Sequence, residues 1–156
     1  MTEPRDPEWG RPWAALFARL TLGLIFFMAG LWKVFDLGPV GHARRFFIDP
    51  YLDSFLPAWS RWGVGTVIPF VELVAGALVL IGLWRGPAYV ALGFVLAIVT
   101  FGHLHGEPLY AFHQHVFPRL ALLLFLLWIP RTVDRFSLDA GLASRRGGRA
   151  RSGTAP

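Results

Sequence analysis

Residues Val64–Trp84 read VGTVIPFVELVAGALVLIGLW, an apolar run in which Glu72 is the only charged side chain before the turn at Arg85. At a rise of about 1.5 Å per residue, a helix of this length covers the roughly 30 Å of a bilayer's hydrocarbon core. A run this long and this apolar predicts a transmembrane helix.

The composition of the whole chain agrees with a lipid environment. Of the 156 residues, 54% are hydrophobic and only 16% are charged, whereas soluble domains usually carry about 25% charged residues. The mean hydropathy is +0.49. We therefore expect one compact membrane-embedded unit, and lipid is its first partner.

Three further apolar runs predict helices, at about 13–35, 87–103 and 108–130. In the last of these the uncharged part is too short to cross, so its helix must begin near Pro108 and kink at Pro118. The sequence thus predicts an all-α polytopic membrane protein, a bundle of four transmembrane helices within residues 13–139.

The remaining segments are an N-terminal stretch, one long connection and a tail. The connection 36–63 mixes aromatics with arginines, which is typical of short interfacial helices in a first external loop; the alternative is an ordinary solvated loop. Residues 140–156 are basic and have little to bury, so we expect them to be disordered.

The basic residues predict the orientation. Ten Lys and Arg residues lie on the side of the two termini and five on the opposite side, so both termini are expected to be cytoplasmic in a plasma membrane of the bacterial inner-membrane type. The net charge of +5 is concentrated in the tail rather than in a groove-like stripe. We read it as contact with anionic lipid and expect no nucleic-acid partner.

Ionisable residues inside the predicted spans reach a similar depth. Counted from the basic residues at the cytoplasmic ends, Lys33, Glu72, Arg119 and His103 lie roughly 21, 20, 18 and 27 Å along their helices. His115 is four residues before Arg119 and shares its helical face. These five residues are the predicted intramembrane polar layer.

Charge balance indicates what such a layer binds. An unpaired charge near a helix centre costs about 2.5 to 3.5 kcal/mol, so Glu72 is expected to bridge Lys33 and Arg119. Asp36, one turn beyond Lys33, is an alternative partner. One positive charge remains, which favours an anion or a carbonyl oxygen as the ligand.

Snorkelling is the competing interpretation for the long basic side chains. Arg19 is predicted to extend to the interface rather than to join a polar site, and for Lys33 both interpretations stay open. Glu72 is too short to reach the interface from its depth, so it requires a partner or a function.

The histidines pose a separate question, because imidazole binds metals and haem iron. Side chains two residues apart on a helix point in nearly opposite directions, so HLH and HQH chelate only from extended or turn backbone. The candidate ligands are His103, His105, His113 and His115. Interfacial hydrogen bonding to water or backbone is the commoner role.

Two stretches resemble the DoxX family of small four-helix membrane proteins: RLTLGLIFFMAGLWKVFD from Arg19, and PFVELVAGALVLIGLWRGPAYVALG from Pro69. The resemblance makes Arg19, Lys33 and Glu72 motif positions. It implies a membrane component linked to redox chemistry at the quinone pool, without defining a reaction. The chain has no cysteine, so it carries no thiol chemistry of its own.

Three functional hypotheses remain. The first is a non-catalytic accessory subunit of a quinone-linked oxidoreductase, working with redox partner subunits, in which the polar layer holds a quinone headgroup or a small anion. The second is a scaffold or assembly factor, in which Gly23 and Gly30 allow close helix approach. The third is transport of a small solute or metal, which four helices would support only as a homo-oligomer.

Overall fold

The computed structural model describes residues 9–106, 114 and 116–152, and in these residues all regular structure is helical. The all-α prediction is confirmed. Helix α1 (Gly10–Leu31) continues into a π-helical turn, Trp32–Asp36. The other elements are α2 (Pro39–Ala43) with a π-helical turn (Arg44–Ile48) and a 3-10 turn (Asp49–Tyr51), α3 (Ala58–Ile81), α4 (Arg85–Gly106), α5 (Phe117–Trp128) and α6 (Leu138–Ser152).

Three helical segments within the described residues are long and apolar enough to cross a membrane: Gly10–Asp36, Ala58–Ile81 and Arg85–His105. They indicate a multi-pass membrane protein. Helix α5 has 12 residues, about 18 Å at the usual rise, and is too short to cross by itself. The predicted start of a fourth span near Pro108 lies outside the described residues.

The kink predicted at Pro118 stays a prediction, because most of the residues before it, 107–113 and 115, lie outside the described residues. Pro118 lies in the first turn of α5, where the missing N–H has no helical acceptor to lose. The proline therefore starts this helix. The short helices predicted between the first two spans are present, as α2 and the two turns that follow it.

Helices α1 and α3 pack at close range through glycines. A Cβ atom on Gly30 would lie 2.6 Å from the Cα atom of Leu73, and one on Gly76 would lie 2.9 Å from the Cα atom of Phe27. A Cβ on Gly23 would likewise meet Leu80, so the expected close approach at Gly23 and Gly30 is confirmed. Small residues permit this backbone contact, which membrane helices use for van der Waals packing.

The tail predicted to be disordered contains helix α6. Its start is fixed to the rest of the chain, because the Asp139 N–H donates to the carbonyl of Gly82 at 3.0 Å. Gly82 ends α3 in the left-handed conformation, with φ of 72°. The tail thus begins against the turn that joins α3 to α4.

Candidate functional site

A cavity of about 450 Å³ lies among α1, α3, α4 and α5. Residues 39–51, which comprise α2 and the two turns after it and are called the α2 segment, contribute to its wall. Aliphatic and phenylalanine side chains form much of this wall. The polar and amphipathic residues that line the cavity are Trp32, Lys33, His42, Tyr51, Glu72, His103 and Arg119. Four of the five residues of the predicted polar layer therefore meet at one cavity.

Two residues of the cavity wall, Lys33 and Glu72, form an ion pair. The Lys33 Nζ atom donates to the Glu72 Oε2 atom at 2.6 Å. Lys33 lies in the π-helical turn after α1, where the Leu37 N–H bonds the Trp32 carbonyl five residues back. Glu72 lies in the middle of α3 and is buried. Lysine and carboxylate thus each supply the partner that the other needs inside the membrane.

Arg119 contributes a second positive charge to the cavity. It lies in the first turn of α5 and is half-buried, and its charge acts on Glu72. Among the described residues, the ion pairs within 4 Å join Glu72 to Lys33 and do not include Arg119. The expected bridge from Glu72 to both cations is therefore formed on the Lys33 side, which leaves Arg119 facing the cavity as a cation.

The alternative partner Asp36 does not reach this cavity. It is exposed at the end of the π-helical turn and is not part of the cavity wall. Glu72, and not Asp36, is therefore the carboxylate that pairs with Lys33.

The histidines divide into different environments. His103 lines the cavity. His105 is exposed; its Nε2 atom lies 3.0 Å from the Ser54 hydroxyl, and its ring lies near those of Tyr51 and Phe101. Predicted candidates His113 and His115 lie outside the described residues. Within the described part of the chain, no group of three or more His, Cys, Asp or Glu side chains is placed to hold a metal ion.

Two side chains of the α2 segment join the cavity wall although they are absent from the predicted polar layer. The Tyr51 hydroxyl donates to the Gly102 carbonyl at 2.7 Å, which ties the segment to α4. The His42 ring nitrogen Nδ1 lies 2.7 Å from the Gly65 carbonyl, which ties it to α3. Burial, aided by the charge of Lys33, lowers the pKa of His42 from its ordinary value, so its imidazole is neutral at pH 7.

Arg19 belongs to a different site, and the prediction that it snorkels is wrong. Its side chain is 2% exposed, and its Nε atom donates to Asp134 at 2.9 Å. Its guanidinium also donates to the carbonyls of Val79 and Leu80 in the last turn of α3. The Val79 carbonyl also accepts the N–H of Gly82 at 3.1 Å, and the negative end of the helix dipole lies at these last carbonyls, so a buried cation is stabilised there.

Arg85 extends this second cluster to the start of α4. It donates to Asp134 at 2.9 Å and to Asp139 at 3.2 Å. The Asp139 carboxylate also accepts from the N–H groups of Trp84 and Arg85, at 3.0 and 3.2 Å. Burial acts to raise the pKa of Asp139, but these hydrogen bonds outweigh it and hold the pKa below its ordinary value.

Asp134 joins both arginines of this cluster, and sequence reasoning missed it. It follows the last apolar run and is separated from Arg19 by 115 positions. No residue near Asp134 in the sequence indicates that it is buried. The available signal is that two distant arginines, Arg19 and Arg85, need a carboxylate partner. We call Arg19, Arg85, Asp134 and Asp139 the basal cluster.

The fold and the cavity together define a multi-pass helical membrane protein with a polar cavity set among its helices. Residues 11–107 match the sequence model of the family described as "Methylamine utilisation protein MauE". The chain belongs to this MauE family, whose match covers α1 to α4 and ends before α5. No curated protein and no solved structure matches the chain.

This match corrects the resemblance to the DoxX family, which is wrong. The family found is a different one, although its match contains both stretches on which the resemblance rested. Small membrane helices share glycines and terminal basic residues for packing and anchoring reasons, so such motifs separate families poorly.

Proposed function

We propose that this protein is a membrane accessory protein whose cavity binds the oxygen-bearing headgroup of a lipid-soluble ligand, with a quinone as the favoured class. The observation that carries the proposal is the buried Lys33–Glu72 pair in a cavity that Arg119 also lines. Ionisable side chains at this depth in a membrane protein are functional candidates by default.

The charge of the cavity favours an electron-rich ligand. Lys33 and Arg119 bring two positive charges and Glu72 brings one negative charge, while His42 is neutral. A net positive site attracts an anion or the carbonyl oxygen of a quinone and opposes a cation such as methylammonium. The family description names methylamine utilisation, but this electrostatic balance speaks against methylamine itself as the ligand here.

The site offers simple chemistry to a bound quinone. A Lys33 or Arg119 donor hydrogen-bonded to a quinone oxygen stabilises the negative charge that forms there on reduction. Glu72 or a cavity histidine is placed to pass a proton to that oxygen. A small anion bound between Lys33 and Arg119 would use the same two donors.

The accessory role follows from what the chain contains and from its family. The chain has no cysteine and so carries no thiol chemistry. The electrons for quinone reduction must therefore come from a redox partner subunit. We infer that the chain serves a methylamine-utilisation system as a non-catalytic membrane subunit, as a single chain or a homo-oligomer.

The path of the chain supports four crossings. Helix α4 begins at Arg85 in the basal cluster and ends 21 residues later at Gly106, on the side of Tyr51 and Gly102. By Asp134 the chain is back at the basal cluster. A return of the chain between these two points supports a fourth crossing. We infer that both termini lie on one side, and the excess of basic residues favours the cytoplasm of a plasma membrane for that side.

The test is to purify the native protein in mild detergent and to analyse the same sample for extracted quinone, metals and co-purifying subunits. We expect a quinone at defined stoichiometry together with a redox partner. A matched preparation of Glu72→Gln at the same abundance should have lost the quinone, because Lys33 without its carboxylate partner turns away towards the interface. A ligand-free protein, or a Glu72→Gln variant with full complex activity, would contradict the proposal.

The second candidate function is a non-catalytic scaffold, and the close packing of α1 on α3 favours it. Gly30 and Gly76 bring the two backbones together beside the Lys33–Glu72 pair, so the pair would fix the register of two helices. Charge substitutions would then lower abundance or assembly without changing ligand binding.

A further inference from the structure

Helix α3 contains a buried proline whose effect reaches the cavity. In an α-helix the carbonyl of Gly65 would accept the N–H of the residue four positions later. That residue is Pro69, which has no N–H to give. The Gly65 carbonyl therefore needs a donor from outside α3.

His42 supplies that donor and thereby fixes its own tautomer. Its Nδ1 atom lies 2.7 Å from the Gly65 carbonyl oxygen, and a carbonyl can only accept, so Nδ1 carries the hydrogen. Because the neutral imidazole has one N–H, Nε2 is left as a lone-pair acceptor. Burial lowers the pKa of His42 and keeps the ring in this neutral form.

The Nε2 atom is left for a ligand. The ring lines the cavity and contacts the rings of Phe46 and Phe47, and the hydrogen bonds among the described residues engage only Nδ1. The charged groups that line the same cavity are Lys33, Glu72 and Arg119, with His103 beside them. Lys33 and Arg119 can only donate hydrogen bonds, and Glu72 accepts as a charged carboxylate. His42 therefore adds a neutral acceptor to the cavity.

We infer that His42 accepts a hydrogen bond from a hydroxyl of the ligand, so that the cavity prefers a hydroxyl-bearing ring, such as a hydroquinone, over the corresponding quinone. The inference rests on the proposed function. A quinone offers only acceptors and leaves Nε2 unpaired, whereas a hydroquinone offers one hydroxyl to His42 and still presents an oxygen to Lys33 or Arg119.

Substitutions at position 42 separate this role from the support that His42 gives to α3. In His42→Asn the amide N–H takes the place of Nδ1–H and can still reach the Gly65 carbonyl, but no acceptor remains at the Nε2 position. His105→Asn is the matched control, because His105 is exposed and lies outside the cavity wall. Binding of a short-chain benzohydroquinone and of the matching benzoquinone is measured anaerobically on the full chain in detergent.

We expect the wild type and His105→Asn to bind the hydroquinone more tightly, and His42→Asn to lose about tenfold in hydroquinone affinity with its quinone affinity within about twofold. An unchanged affinity ratio in folded His42→Asn would overturn the inference and leave the proposed function standing. Binding of neither compound to the wild type would overturn both.

A second measurement covers the case in which His42→Asn does not fold. In the wild type labelled with ¹⁵N-histidine, the resonance of an unprotonated ring nitrogen should move on addition of the hydroquinone and stay in place with the quinone. No histidine resonance responding to the hydroquinone would refute the role of His42.

Discussion

Removing Lys33 and removing Glu72 should lower the free energy of unfolding by different amounts. Lys33→Met leaves the Glu72 carboxylate, 6% exposed, without its partner. Glu72 is too short to reach the interface, so it must take up a proton, which at pH 7 costs about 3.7 kcal/mol for a carboxyl of ordinary pKa near 4.3. We expect a loss of about 3 kcal/mol in the free energy of unfolding, within the range for breaking a buried pair.

The same reasoning predicts the stabilities of the other two variants in a double-mutant cycle, Glu72→Gln and the double variant. Lys33 is 18% exposed and has a long stem, so Glu72→Gln lets it turn towards the interface, and we expect a loss of about 1 to 2 kcal/mol. Lys33→Met with Glu72→Gln removes both charges and should return close to the wild type. At pH 5 the cost of Lys33→Met should fall to about 1 kcal/mol, because protonation is then easier.

Reversible unfolding in mixed detergent micelles, measured for all four proteins at pH 5 and pH 7, gives these free energies. The reasoning predicts a coupling of several kcal/mol at pH 7 that shrinks at pH 5. Additive losses, or a Lys33→Met penalty independent of pH, would refute it, since the two charges would then be solvated separately.

Three further outcomes are expected. Gly30→Ala should unfold the protein or lower its stability by several kcal/mol, because the new Cβ would lie 2.6 Å from a Cα atom of α3. The control Gly63→Ala, in α3, places its Cβ in open space and should keep the wild-type melting temperature. Equal melting curves for the two variants would contradict the close packing of α1 on α3. Asp134→Asn should cost about 3 to 5 kcal/mol, because buried Arg19 loses its carboxylate partner and Arg85 keeps only Asp139, while exposed Asp36→Asn should change stability by less than about 0.5 kcal/mol in the same unfolding assay. The lowered pKa of His42 means that the unfolded state binds the proton better, so stability should fall as pH drops below about 6.5, and His42→Asn should flatten this part of the stability-pH curve.

Depth along a helix could be predicted from the sequence because the helical rise is constant. Lys33, Glu72, His103 and Arg119 come from four different elements. Counting residues from their basic ends predicts one level for the three charged residues, with His103 just beyond it, and the structure has all four on one cavity. The three long apolar segments were likewise evident from length and hydropathy alone.

Partners across the fold were not predictable in the same way. Depth gives no direction around the helix axis, so Arg19 was expected at the interface, although it faces inwards to a carboxylate 115 positions away. For His42 a local signal did exist: Pro69 within an apolar run leaves the carbonyl of Gly65 in need of a donor. Which residue would supply that donor depended on how the α2 segment folds over α3.

The tail also shows how a distant contact changes a local expectation. Its composition predicts disorder, but Asp139, directly before it, accepts hydrogen bonds from the N–H groups of Trp84 and Arg85 at the start of α4. A carboxylate at a helix N-terminus satisfies orphan donors, which stabilises the helix it caps and fixes the residue that supplies it. The beginning of the tail is therefore ordered by α4 rather than by its own sequence.

The claim that the cavity binds a quinone headgroup is tested most directly by equilibrium binding of a short-chain benzoquinone. The protein with both Lys33→Met and Glu72→Gln is the comparison, because it should fold like the wild type. We predict saturable one-site binding to the wild type and at least about tenfold weaker binding to the double variant, with no competition from methylammonium. Equal affinities in the two proteins, or displacement of the quinone by methylammonium, would contradict the account.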